Sequence, residues 1–385
     1  MKMQFDRSEM QSRVERLRAE LCARNLDALL IDDFEATAYY FNYETGLSFY
    51  RAGLIPTEGE AFFVLRSVDV APLRERTWVE DIVGFPDWVD AHTAIVEKIH
   101  QRGLDRARIG VDLRSHALTV QTFEALKREL PHVNFVDVDN LPWKLRKLKS
   151  KAEIDKLRKA SDINDATMRE IVEAAKPGFT EREAARMAAE GHVRHGGDPV
   201  HPGIMTAAKG WDFLHGHVHD TPLQQGDVLH IELIPCFQGY SSRMMRCVVL
   251  GDVAPEMEVI SRTMIELQDK QIAAMKPGAV AKDVDRIMRQ GALDAGLREN
   301  YTNITGYTLG YYSERHTGSD FTWVFLPNSE WVLEEGMVFH MYTSGGGIAI
   351  SETVLVSPNG GERLSKMERR LFSSDDSVRL LGAAA

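Results

Sequence analysis

Four short stretches carry side chains whose types and spacing allow chemistry. DFLHGHVHD (212–220) sets His215, His217 and His219 two residues apart. As a strand it would present all three on one face. It is then either an H-x-H metal site completed by Asp212 or Glu232, or one working histidine with two companions at the strand edge. HIELI (230–234) puts Glu232 inside an apolar strand, where an unpaired charge is costly. The carboxylate is either paired with Arg243 or Arg246, or turned to a crevice. In a crevice it can hold a cationic group through charge-assisted hydrogen bonds, or act as base or nucleophile. VFHMY (338–342) offers His340 and ISETVLV (350–356) offers Glu352, each a crevice group or a satisfied core polar group. TSGGGIAISE has three consecutive glycines, but a strand follows them rather than a helix. A hairpin turn with positive φ is therefore expected, not a nucleotide loop.

The chain that must position these groups has 385 residues, 44% hydrophobic and 27% charged, with a net charge of −11. That is enough for two domains with real cores. The acidic balance suits neither nucleic acid nor an anionic membrane. The N-terminal MKMQFDRSEMQSRVERLRAEL reads as an amphipathic helix without the apolar centre of a signal peptide, and no run is long enough to span a bilayer. Cys22, Cys236 and Cys247 form no CxxC pair, and their odd number argues against a disulfide framework. A reducing cytoplasm is the expected location.

Residues 1–145 alternate short apolar runs (26–32, 61–67, 107–113, 133–139) with helical patterns, which predicts an α/β domain. The basic stretch WKLRKLKSKAEIDKLRK (143–159) reads as a solvated helix start rather than a nucleic-acid patch, because Ser150 and Glu153 form a capping box before an apolar stripe. From 150 to 375 a second, α+β domain is expected. Within it AAKPGFTEREAARMA (174–188) is echoed by AMKPGAVAKDVDRIM (274–288) at an offset of 100 residues. Each Lys-Pro-Gly ends one helix, another helix follows, and strands come after. Such a repeat implies two α-plus-β halves around a pseudo-two-fold, with a site in the crevice between their sheets.

GDVLHIEL (226–233), RCVVLG (246–251), TGYTLG (305–310), EEGMVFHM (334–341) and ISETVLV together resemble the creatinase, prolidase and aminopeptidase P superfamily. The resemblance covers nearly the whole chain. It implies a creatinase-like N-terminal domain and a pita-bread catalytic domain. The metal ligands of the peptidase branch fall on Glu232, Arg243, Tyr307, Tyr342 and Ser351, so one carboxylate survives where two bridged dications would need several. The resemblance then points to the metal-free creatinase and ectoine hydrolase branches, with no cofactor and with Tyr307 and Tyr342 filling the emptied space.

Glu232-Leu-x-x-Cys236-x-x-x-Tyr240-x-Ser242-x-x-x-Arg246 is similar to the ectoine hydrolase hairpin, as are Phe339-His340-Met341 and Ile350-Ser351-Glu352-Thr353. From creatinase, the catalytic histidine falls on His215 and substrate contacts fall on Phe49, Arg51 and Arg315. Met245 and Tyr342 stand where creatinase has glutamates. The implied function is hydrolysis of a C–N bond in a small zwitterion bearing a carboxylate and an amidine or guanidine. His215 and Glu232 would be catalytic, with Phe49, Arg51, Arg315, Tyr240, Tyr307, His340, Tyr342 and Glu352 around the substrate. A homodimer is implied, in which the N-terminal domain completes the neighbour's site. A creatinase-type amidinohydrolase, a metal-dependent Xaa-Pro dipeptidase or lyase using the histidines, and an inactive binding protein remain as alternatives.

Overall fold

The computed structural model describes residues 4–43, 49–207, 214–311 and 322–375, and the chain divides into two units at Arg146 and Lys147. In the first unit, short apolar runs form six strands: β1 (Ala28–Ile31), β2 (Ala52–Pro56), β3 (Phe62–Arg66), β4 (Asp81–Phe85), β5 (Arg108–Val111) and β6 (Asn134–Asp137). They lie in the order β4-β3-β2-β1-β5-β6, with β2 antiparallel to both neighbours and the other pairs parallel. Alternation along β1 divides the core: Leu29 and Ile31 face one side, Ala28 and Leu30 the other. The first side packs on α1 (Arg7–Ala23), α2 (Phe34–Phe41), α3 (Val70–Arg76) and α6 (Leu141–Leu145). The second packs on α4 (Ala91–Gln101) and α5 (Val120–Glu129). Four of these strands correspond to the runs read from sequence. β2 and β4 do not, since each is interrupted by a glycine, Gly53 or Gly84, which weakens the strand pattern.

The second unit opens with α7 (Lys151–Ala174), whose capping box joins Ser150 and Glu153, and α8 (Glu181–Arg194), whose box joins Thr180 and Glu183. Their counterparts are α9 (Pro255–Ala274) and α10 (Ala281–Asp294). The sequence repeat is therefore structural: one offset carries Ala174 to Ala274 and Glu181 to Ala281. Both Lys-Pro-Gly turns need glycine, with φ of +92° at Gly178 and +90° at Gly278. Their N–H groups donate to Leu223 O at 2.8 Å and Leu333 O at 2.9 Å. The basic linker is spent on ion pairs such as Lys147–Glu334 and Arg158–Glu362.

The remaining strands are β7 (Gly203–Thr206), β8 (Val228–Leu233), β9 (Cys236–Phe237), β10 (Tyr240–Ser241), β11 (Met244–Val249), β12 (Gly306–Thr308), β13 (Val338–Gly345), β14 (Ile348–Ser357), β15 (Gly360–Arg363) and β16 (Phe372–Ser373). They form sheets β16-β11-β8-β7 and β12-β13-β14-β15, with β9-β10 as a small hairpin. The triple glycine makes the β13–β14 turn, with φ of +57° at Gly346 and +79° at Gly347, as expected. Each sheet buries one face beneath its own helix pair. Leu229, Ile231, Leu233 and Val248 pack on α7 and α8, while Phe339, Met341, Val354 and Val356 join the core beneath α9 and α10. The intervening residues point the other way. Among the described residues, no helix is long and apolar enough to cross a membrane.

At the end of β1, Asp33 caps α2 by accepting from Glu35 N at 3.1 Å and Ala36 N at 3.2 Å. Burial, followed by the charge of Glu35, pushes its carboxyl up to about 7. A raised carboxyl contributes stability that is fully present below its ordinary value of 3.8 and is lost as pH rises toward about 7. Asn caps as well as Asp but does not titrate. Asp33→Asn should therefore stabilise the protein by about 4 kcal/mol at most near pH 8 and leave it unchanged near pH 3.5. Urea unfolding at both pH values checks this, and equal effects at the two would refute the assignment.

Candidate active site

Strand β14 runs alongside β11, and its side chains meet the backbone there. Thr353 Oγ1 accepts from Arg243 N at 2.8 Å and donates to Arg243 O at 2.9 Å, while Ser351 Oγ accepts from Met245 N at 2.7 Å. The non-helical faces of the two sheets are thereby brought together. β8 contributes His230 and Glu232, since both alternate with the buried Leu229, Ile231 and Leu233. β13 contributes His340 and Tyr342, paired in register with Thr353 and Ser351. β12 contributes Tyr307, paired with His340. Gly203 allows β7 to approach: a Cβ there would lie 1.9 Å from Glu232 O, and its φ is +124°.

These side chains form a buried polar chain. Arg243 Nη1 lies 3.9 Å from Glu232 Oε1 and donates to the Tyr307 hydroxyl at 2.5 Å. The Tyr307 oxygen is 2.8 Å from His340 Nδ1. The His340 ring stacks on Tyr342 at 5.4 Å and 21°, and the Tyr342 hydroxyl accepts from Asn303 Nδ2 at 3.0 Å. Burial, with help from the Arg243 charge, drives His340 well below the usual histidine range. Burial also raises Tyr342 to about 12, and the Glu232 charge adds to that rise. His230 is lowered to about 4, first by burial and then by His215, and its Nδ1 is 3.8 Å from Cys247 Sγ. His340, His230 and Tyr342 are thereby held in uncharged forms.

Several expectations need correction. Residues 214–220 are turn and coil, not strand, and His215, His217 and His219 are exposed. The segment has no ladder partner to enforce alternation. His219 instead lies 3.0 Å from Glu181 Oε2, which also accepts its backbone N–H. Asp212 and Arg315 lie outside the described residues. Glu352 sits on the opposite face of β14 from Ser351 and Thr353, fully buried in an ion pair with Arg246 at 2.8 Å and bonded to Ser365. It is a core group, away from the Glu232 chain. The Tyr240 hydroxyl donates to Glu153 at 2.8 Å and so supports the start of α7. In the first unit, Phe49 is half-buried beneath the Arg66 guanidinium, while Arg51 is buried with its guanidinium 4.0 Å from the Phe34 ring centroid. Sequence reasoning missed His230 and Asn303. His230 was legible as the residue two before Glu232 on a strand. Asn303 carried no signal.

The five positions of the superfamily's metal ligands do converge, on Glu232, Arg243, Tyr307, Tyr342 and Ser351. Their donors are one carboxylate, a guanidinium, two phenols and a hydroxyl engaged by Met245 N. That set does not fit a pair of dications, which requires bridging carboxylates. Among the described residues no three His, Cys, Asp or Glu are grouped to hold a metal ion.

Residues 155–358 match Metallopeptidase family M24, and residues 13–148 match the Creatinase/Prolidase N-terminal domain. The chain belongs to family M24 and has its pita-bread fold. It is 27% identical to an ectoine hydrolase of Halomonas elongata over 96% of this chain and 98% of that one. It is 26% identical to a creatinase of Bacillus sp. over 94% of this chain and 92% of that one. It is 30% identical to an Xaa-Pro dipeptidase of Pyrococcus horikoshii over 65% of this chain and 71% of that one. The crystal structure of a prolidase from Thermococcus sibiricus matches with a TM-score of 0.84 at 21% identity, covering 94% of this chain and 99% of that one.

The Arg246–Glu352 pair should matter to folding. Breaking a buried pair leaves an uncompensated charge and costs about 3–5 kcal/mol. Glu352→Gln should lower stability by about that amount in denaturant unfolding. A near-neutral effect on stability with a collapse of turnover would return Glu352 to the site.

Proposed function

We propose that the chain is a metal-independent hydrolase of a C–N bond in a small zwitterion carrying a carboxylate and an amidine or guanidine group, with ectoine the first substrate to test. The observation that carries this reading is Arg243. A fixed cation stands in the middle of the family's ligand positions, between Glu232 and Tyr307. It is covalently part of the fold, and it favours an ionised Glu232. The full-length similarity to the ectoine hydrolase and the creatinase supports the same reading.

In this mechanism the ionised Glu232 faces the amidinium and takes a proton from water as the water oxygen bonds to the amidine carbon. The C=N π pair moves to nitrogen. Collapse forms the carbonyl and breaks one C–N bond: the departing nitrogen takes a proton from His215, and the hydroxyl proton of the intermediate passes to the imidazole so freed. With ectoine the ring opens to an acetylated diamino acid. The match to the Pyrococcus dipeptidase favours a second reading, an M24 peptidase of altered specificity.

Turnover of ectoine followed by mass spectrometry in the presence of a chelator separates the two. The proposal expects activity to persist, and Glu232→Gln to lower kcat by about 100- to 10,000-fold with the fold intact. Activity only on Xaa-Pro dipeptides, and only with added divalent metal, would establish the second reading instead.

The reading includes a homodimer in which Phe49 and Arg51 of one chain serve the other chain's site, with Arg315 as a further carboxylate contact. Mixing Phe49→Ala chains with Glu232→Gln chains should restore up to about half the activity per mixed dimer, since one site then inherits neither defect. No recovery after demonstrated subunit exchange would exclude the shared site.

A further inference from the structure

We propose that His340 presents its Nε2–H as a fixed hydrogen-bond donor to a substrate carboxylate, held in that tautomer by Tyr307 and Arg243. This rests on the hydrolase reading for the substrate's identity but not for the geometry. Arginine has donors only. At 2.5 Å from Arg243 Nη1, the Tyr307 oxygen must accept. The hydroxyl hydrogen of Tyr307 then points to His340 Nδ1, 2.8 Å away. The reverse arrangement, a neutral Nδ1–H donating to the same phenol oxygen, would make that oxygen accept from two donors and turn its hydrogen away from the acceptor 2.8 Å off. An Nδ1 that accepts leaves the ring proton on Nε2.

That Nε2 is buried and has no acceptor among the described residues. A buried donor left unsatisfied costs stability, and a ligand oxygen would recover it. Rotation of the ring is opposed on two sides. Tyr307 meets it edge-on at 5.0 Å and 80°, and Tyr342 lies nearly parallel at 5.4 Å. The donor is therefore set before substrate arrives, with no reorientation needed on binding. An oxygen anion suits it, because the ring stays neutral and Arg243 is already engaged by Glu232 and Tyr307.

Long-range proton–nitrogen NMR of histidine-labelled protein tests the assignment directly. His340 should show a protonated Nε2 and an unprotonated Nδ1, and Tyr307→Phe should let the Nδ1–H form appear. Acetate, as a bare carboxylate, should shift the Nε2–H proton downfield, as should ectoine. His340→Phe should raise KM for ectoine about tenfold, the loss of one hydrogen bond. His340→Gln, which keeps a donor near the Nε2 position, should recover most of that loss. A fixed Nδ1–H tautomer, or an Nε2–H indifferent to both acetate and ectoine, would overturn the proposal. An acetate response without turnover of ectoine would instead overturn the hydrolase reading and leave this inference standing.

Discussion

The contact of β14 with β11 is held by side-chain hydroxyls rather than by a backbone ladder, and the rest of the site depends on it. β11 pairs with β8 along one edge, so the N–H groups of Arg243 and Met245 on its other edge need acceptors. Thr353 and Ser351 supply them. Their hydroxyls must therefore point toward β11. Period-two alternation then turns Glu352 to the opposite face, and register with β13 brings His340 and Tyr342 to the same side as the hydroxyls. One local requirement, acceptors for two amides, thus decides which residues of β13 and β14 face β11.

Within the crevice so formed, the substitutions at the family's ligand positions depend on one another. A lone buried guanidinium would be severely penalised. Arg243 is tolerable because Glu232 is 3.9 Å away and the Tyr307 hydroxyl accepts from it. Glu232 is likewise tolerable in a nearly water-free position because Arg243 is there. Tyr307 and Tyr342 bring volume and hydroxyls without charge.

Signals confined to one stretch of chain were legible in the sequence. The capping box at Ser150, the paired Lys-Pro-Gly turns and the glycine hairpin before Ile348 each follow from backbone requirements of a few consecutive residues. What depended on a distant partner was not. The alternation His-x-His-x-His imitates a strand, yet residues 214–220 have no neighbour to pair with and remain coil. Glu352 looked like a crevice acid because its sequence alone cannot say whether it or its neighbours Ser351 and Thr353 face β11. His230 was overshadowed by Glu232, although the same alternation that selects one selects the other.

The distribution of constraints also explains how one chain can be similar to peptidases and to amidine hydrolases at once. The helix pairs, the turn glycines and the helix-facing halves of the strands specify the fold, and they make up most of the matched sequence. The chemistry resides in a handful of crevice-facing positions that contribute almost nothing to an overall identity. A 30% match to a dipeptidase and a 27% match to an ectoine hydrolase therefore carry little weight against each other. Arg243 carries more. An aspartate can be exchanged for a glutamate at a metal centre and still ligate. An arginine has no lone pair to offer, and its charge occupies the space in which a dication would need donors. The residue that breaks the family's ligand set is thus the one that holds Glu232 and Tyr307 in place.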